Sequence, residues 1–412
     1  MNQKKDIIAC LLLVVGSFLL AYLPNEFPAS YQDYSLRIGE AMIGGHLGMN
    51  SKPPDWLNEM IPQGDHYYSV FPLGNILSIM PFALLHKMEW IDEFPSRFIA
   101  AALASITTLL GFLLTAPYRM PMRHRVILSL APFFGTCLWA NVAYGGSWQI
   151  AIGIAVATEM AALYFLLSCR KPFLAGFFFA VAFGNRTEII LVAPILYYLL
   201  IRGSITTREP RPLRSQIFDV IAFISAPLVL GLLTLWYNYE RFSNPFDFGH
   251  SHIPGVLEEA NYINGIFSLQ AVPNNLYRMF LQPWKLIPEF PRLVPMNSGG
   301  SLFLYSPWLI LALLWGGSRR GIKVAAWVAV SLLLVVLCLH GDPGGLQISS
   351  RYAMILVPWV YLLILEKHAS SRFPLEGSLV LASVIINAWA MWLFCSTQFF
   401  HLYRESGDYL DF

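Results

Sequence analysis

Apolar residues fall along this chain in long runs, and nearly all of the charge is gathered in the segments between them. A helix needs about 20 mostly apolar residues to cross a hydrocarbon layer about 30 Å thick, where every backbone polar group must be bonded within the protein. Runs at 6–23, 97–116, 126–143, 148–168, 217–239, 302–317, 324–340, 352–366 and 378–396 meet that requirement. Two further apolar stretches do not fit it so simply. Val70 to His86 carries Pro72, Gly74 and Pro81, and a crossing there would leave Arg119, Arg123 and Arg125 outside. Basic loops belong in the cytoplasm, so this stretch is expected to lie at or dip into the outer interface without crossing. Phe173 to Ile201 is broken by Gly184-Asn185-Arg186-Thr187-Glu188. Two short tilted helices with a turn near Gly184 keep Arg202, Arg208, Arg211 and Arg214 inside.

The expectation is an all-α polytopic membrane protein with about eleven transmembrane helices, amino terminus cytoplasmic and carboxyl terminus outside. It forms one transmembrane domain over 1–412, with large outer loops at about 24–96 and 240–301 and no separate soluble domain. The first run follows Lys4 and Lys5 but lacks a small-residue cleavage site, so it is expected to remain as the first span.

Composition narrows the picture. Hydrophobic residues make up 56% of the 412 positions and charged residues 13%, too little polarity for a water-soluble domain of this size. A net charge of +2 gives no electrostatic reason to expect nucleic acid as a partner. The five cysteines lie in or beside apolar runs with no C-x-x-C spacing, which argues against a disulfide framework or a zinc site.

The candidate chemistry sits in the outer segments. Residues 34–47 alternate apolar and charged positions in the manner of a short juxtamembrane helix. Asp33 precedes it, placed either to cap that helix or to act as a general base at the membrane surface. Asp65, in the Gly64-Asp65 turn, falls on the same outer surface, beside Tyr67 and Tyr68 at interfacial depth. Arg186 and Glu188 interrupt an apolar stretch, where ionisable groups either pair with each other or serve a site. His250 and His252 stand near Asp247, too few ligands to indicate a metal. Arg351 lies at the outer mouth of a late span, as a snorkelling anchor or as a bidentate partner for phosphate.

Together these stretches resemble the GT-C superfamily of polyprenyl-phosphate-dependent glycosyltransferases, especially bacterial membrane proteins akin to glycosyltransferase family 39. The resemblance spans nearly the whole chain: Gln32-Asp33-Tyr34, the Gly64 to Gly74 segment, Gly184 to Glu188, Asn244 to His250, and Ser350 to Tyr352. It implies a GT-C-like fold in a bacterial inner membrane, with the active site on the outer face and Asp33 as general base. The donor would be a sugar on polyprenyl phosphate, and the acceptor a glycan, lipid or protein. Arg37, Lys52, Arg186 and Arg351 are the cations suited to the leaving phosphate; Asp65, Tyr67, Tyr68, Glu188 and His250 complete the candidate substrate-binding set. The resemblance requires no nucleotide sugar and does not indicate a divalent metal. The family often carries Asp-Glu where this chain has Asp33-Tyr34, and Pro-Pro-Gly where it has Pro72-Leu73-Gly74. The competing expectations are a transporter or flippase, which should show repeated halves and mid-membrane charges, a polysaccharide polymerase or ligase using diphosphate-linked donors, and a non-catalytic scaffold.

Overall fold

A computed structural model describes residues 3–395 apart from positions 27, 119, 203–211, 287, 289–291, 295, 297–298, 315, 318, 343, 345–346 and 369–371. Arg119, Arg208, Arg211 and the carboxyl-terminal segment, which figure in the charge argument, lie outside the described residues. The fold is almost entirely helical. In chain order the helices are α1 (Gln3–Tyr22), α2 (Tyr34–Ile43), α3 (Leu73–Lys87), α4 (Ser96–Leu114), α5 (Met122–Leu130), α6 (Leu138–Tyr144), α7 (Ser147–Tyr164) and α8 (Pro172–Asn185). They continue with α9 (Ala193–Arg202), α10 (Leu213–Phe242), the short α11 (Val272–Leu276) and α12 (Leu302–Tyr305), α13 (Arg320–Leu339), α14 (Val357–Lys367) and α15 (Phe373–Cys395). Two small antiparallel hairpins, β1 (Met60–Gln63) with β2 (His66–Ser69) and β3 (Lys285–Leu286) with β4 (Leu293–Val294), interrupt the loops.

Among the described residues six helical segments are long and apolar enough to cross a membrane: 4–22, 96–118, 147–169, 213–242, 320–339 and 373–395. Their exposed faces identify the solvent. In α1, Ile8, Leu11 and Leu12 are 56%, 61% and 68% exposed, and α10 turns Phe218, Ile221 and Leu232 outward in the same way. Apolar stripes of that length are stable against lipid, whereas in water they would drive association.

Three expected spans are interrupted. The 126–143 run breaks between α5 and α6, with Pro132 and Gly135 at the break. The 302–317 run is α12 followed by a 3-10 segment, Pro307–Leu313, and 352–366 begins as a 3-10 turn before α14. Such irregular backbone is tolerated at membrane depth when other protein groups satisfy it. Here Trp308 Nε1 donates to the Gly135 carbonyl at 2.8 Å, and Tyr361 Oη donates to Gly111 O at 3.0 Å. The break near Gly184 is present. The helix ends at Arg186 in an extended conformation, and α9 runs back to contact the Phe165–Cys169 turn close to where α8 starts.

The stretch 70–86 becomes α3, which lies beside α2 and runs in the same direction. Ser35 bonds to Asn75, a Cβ on Gly39 would fall 2.9 Å from that of Ala83, and His86 Nδ1 lies 2.5 Å from Glu40 Oε1. The start of α3 is tied to the end of α8 by two Gly-Asn pairs. A Cβ on Gly74 would fall 2.4 Å from Gly184 Cα, so the two backbones touch. Beside them Asn75 Nδ2 donates to Asn185 Oδ1 at 2.8 Å and Asn185 Nδ2 to Ser78 Oγ at 2.9 Å. Much of the G-N-R-T-E signature is thus a packing device. Gly176, two turns earlier on α8, faces the Phe223 carbonyl of α10, where a Cβ would come within 1.9 Å.

Charge is divided between the ends of the bundle. At one end Arg125 Nη1 meets Asp6 Oδ1 at 2.7 Å, and Glu366 takes hydrogen bonds from Arg319 at 2.9 Å and Tyr118 at 2.6 Å. Lys323, Lys367 and Arg170 belong to the same end. At the other end lie α2, α3, the β1–β2 hairpin and the 243–271 segment, around a second small core that includes Tyr34, Ile38, Phe71, Tyr237 and Tyr262.

Replacing Gly184 or Gly176 by Val should force backbones apart at a cost of roughly 1–3 kcal/mol or more. The detergent-solubilised variants are expected to melt several degrees below wild type in a fluorescence-detected chromatography assay. Gly231→Ala, which meets open space, should melt as wild type does.

Candidate functional site at the α2–α3 end of the bundle

Each expected residue can be placed. Asp33 occupies the N-cap position of α2, but its side chain makes no capping bond. Its carboxylate instead takes a hydrogen bond from Arg37 Nε at 2.7 Å, so the i,i+4 ion pair displaces the expected cap. Burial holds the Asp33 carboxyl above its usual range in spite of Arg37. The other charge acting on it is Glu40, which with His86 extends the same network along α2 and α3.

Lys52 and Asp65 lie at the periphery. Lys52 pairs with Asp55 at 3.5 Å in water, and Asp65 is exposed at the tip of the β1–β2 hairpin. Tyr67 exchanges backbone hydrogen bonds with Met49 at 2.9 Å, while the Tyr68 ring packs 6.2 Å from Phe242 and over Gly48. The hairpin is held from below by buried Arg241, whose guanidinium donates to the Ser69 carbonyl at 2.5 Å and lies 3.9 Å from the centre of the Tyr237 ring.

Arg186, Glu188, His250 and Arg351 do converge, around two groups that sequence reasoning left without a role, His340 and Tyr352. Arg186 pairs with Glu188 at 2.6 Å and stacks over the Tyr352 ring at 4.5 Å. Arg351 is 6% exposed; its Nη2 donates to Tyr352 Oη at 3.3 Å, its Nε has no partner, and no carboxylate of the described residues pairs with it. The His340 ring lies 6.0 Å from that of His250, 5.9 Å from Tyr262 and 5.7 Å from Tyr352. His250 shares a 3.2 Å hydrogen bond with Tyr262 Oη. Burial, reinforced by His340, lowers the His250 pKa to about 4, and burial also lowers that of His340. Both imidazoles are therefore neutral at pH 7, and the two guanidiniums carry the positive charge.

Glu59, just before β1, was also missed. Its carboxylate accepts the indole N–H of Trp148 at the start of α7. The Arg351 charge reaches it, as do those of Asp342 and Glu259. Loss of water pushes its pKa up to about 7. Tyr34, whose hydroxyl lies 3.2 Å from Asn58 Oδ1, feels both Glu59 and Asp33. Nothing in the sequence marks a lone glutamate in WLNEM as special; the signal appears only when Trp148 and Arg351 are brought beside it. In mid-bundle, Glu159 accepts the Trp359 indole N–H at 2.5 Å, a lock between α7 and α14. Among the described residues no three His, Cys, Asp or Glu side chains form a metal-holding group.

The arrangement combines a buried guanidinium that no carboxylate of the described residues pairs with directly, though Asp342 and Glu59 act on it at longer range, a second guanidinium on an aromatic ring, and carboxylates of the 24–96 segment. Chemically it can hold a phosphate oxyanion beside a group that accepts a proton. No protein family, curated protein or solved structure matches the chain.

The raised Glu59 pKa carries a stability consequence. A folded-state pKa near 7 against an ordinary value of 4.5 means that the folded protein binds the proton more tightly. The associated stability is fully present below about pH 4.5 and is lost as pH rises through about 7. Glu59→Gln should therefore flatten the fall in melting temperature of purified protein over that window, as read by differential scanning fluorimetry at stepped pH.

Proposed function

We propose that the chain is a membrane glycosyltransferase that moves a sugar from polyprenyl phosphate onto an acceptor at the non-cytoplasmic face. The observation that carries this reading is Arg351, buried at 6% exposure with no directly paired carboxylate among the described residues, at the end of the bundle opposite Arg125, Arg319 and Lys323. A buried unpaired charge is costly, and a bound oxyanion relieves that cost. By the preference of basic loops for the cytoplasm, the Arg125 and Arg319 end faces inward and Arg351 outward. The reading takes the broken and short helices as passes alongside the six long ones, which makes about eleven crossings; the GT-C-like arrangement and the bacterial inner membrane come from the resemblance.

In this scheme the isoprenoid chain lies among apolar helices, which fixes the phosphate at interfacial depth. Arg351 and Arg186 offset the charge that develops on the departing phosphate. A carboxylate of the first outer loop, Asp33 by resemblance, accepts the proton of the acceptor hydroxyl. Cation-rich outer ends also suit a flippase for the same lipid. The readouts differ, because a flippase moves the intact lipid-linked sugar and a transferase cleaves it.

Cells lacking the gene should lose one sugar unit from an envelope glycan or glycolipid, as measured by mass spectrometry. Wild type should restore it and Arg351→Ala should not. Arg351→Lys, which keeps charge but loses the bidentate fork, is expected to lower kcat/KM roughly a hundredfold, about 2.7 kcal/mol. Unchanged glycans in the deletion strain would rule the reading out.

A further inference from the structure

The carboxylates around the outer end differ in what holds them. Asp33 is bonded to Arg37, Glu188 to Arg186, Glu40 to His86 and Asp247 to His252. Each of these partners carries or can carry positive charge, which lowers the carboxylate's affinity for a proton. Glu59 is held instead by a neutral donor, the Trp148 indole, on Oε2. Among the described residues its Oε1 has no donor. Trp148 is itself fixed by Phe71, with ring centres 4.0 Å apart, so the carboxylate is oriented without being neutralised.

We infer that Glu59, and not Asp33, takes the proton of the acceptor hydroxyl. This rests on the transferase reading above and assigns one step within it. The acceptor oxygen bonds to the anomeric carbon as that carbon's bond to the phosphate oxygen breaks. The electron pair leaves on the polyprenyl phosphate beside Arg351, and the hydroxyl proton passes to Glu59 Oε1. Asp33 then acts through Arg37 and the α2–α3 network as a positioning residue.

The surroundings favour that assignment. Of the groups facing Glu59, Arg351 stabilises its ionised form, while Asp342 and Glu259 disfavour it. Tyr34 and Tyr262 present hydroxyls that stay protonated. A base serves best when its pKa lies near the working pH, and Glu59 at about 7 meets that condition while remaining partly ionised.

The test uses the full-length protein in lipid nanodiscs, radiolabelled mannose, glucose, galactose and arabinose on polyprenyl phosphate as donors, and envelope extract from the deletion strain as acceptor. Wild-type transfer should fall on the acid side with a midpoint near pH 7, in step with Glu59. Glu59→Gln should lower the rate about 10² to 10⁴-fold and abolish that acid limb. It should still bind polyprenyl phosphate by native mass spectrometry, which a collapsed site would not. Glu59→Asp should recover part of the rate, and Asp33→Asn should keep the acid limb at reduced rate. A Glu59→Gln enzyme within about threefold of wild type, or an acid limb that disappears only in Asp33→Asn, overturns the inference and leaves the transferase reading standing. Failure of wild type to transfer sugar from all four donors overturns both.

Discussion

The backbone contact between Gly74 and Gly184 is the constraint on which the α2–α3 end of the molecule depends. It lets the start of α3 rest directly on the end of α8, with Asn75 and Asn185 exchanging a hydrogen bond at 2.8 Å in place of water. Because α3 then carries α2 along its length, the segment containing Asp33, Tyr34 and Arg37 is fixed over the mouth of the bundle. Arg241 does the same from the other side by gripping the β1–β2 hairpin through the Ser69 carbonyl. Glu59 stands just before that hairpin, so its position against Trp148 follows from both anchors.

Lipid as solvent accounts for the rest of the architecture. Apolar faces on α1 and α10 need no protein partner, whereas each interruption of a helix must be answered internally, as Trp308 and Tyr361 answer carbonyls at 2.8 and 3.0 Å. Charged groups are driven to the two ends, and the ends differ in kind. At the Arg125, Arg319 and Glu366 end, arginines meet carboxylates directly, while Lys323 and Lys367 donate to backbone carbonyls. At the other end no carboxylate of the described residues is ion-paired with the buried Arg351 guanidinium, on which Asp342 and Glu59 act at longer range.

Much of this was legible in the sequence, and the reasons are physical. Long apolar runs and the break at Gly184 follow from hydropathy and from glycine and polar residues inside an apolar stretch. The division of 126–143 into α5 and α6 was missed because run length measures hydropathy, which Pro132 and Gly135 scarcely lower, while backbone continuity is what they disturb. At the site, Arg186, His250 and Arg351 were visible because ionisable residues stand out beside apolar runs. Lys52 and Asp65 stood out equally and lie at the exposed periphery, since charge in a loop is ordinarily just solvated. Glu59, His340 and Tyr352 were not singled out. Their chemistry arises from neighbours far away along the chain, such as Trp148, 89 positions from Glu59, or from a ring seen edge-on, which no local pattern encodes. Asp33 was placed correctly at the helix start, but Arg37 one turn on competes better for its carboxylate than the backbone N–H groups do.

The reading proposed above draws its binding charge from Arg186 and Arg351 and its proton acceptor from the segment that precedes β1. Its central claim is that a lipid phosphate sits against Arg351. The most direct measurement is a cryo-electron microscopy map of the protein in nanodiscs with polyprenyl phosphate, the product that leaves after transfer. The account predicts phosphate density within about 3 Å of the Arg351 guanidinium, with the isoprenoid chain running from it between the helices. Phosphate density at the Arg125 and Arg319 end, with the Arg351 end empty, would contradict it.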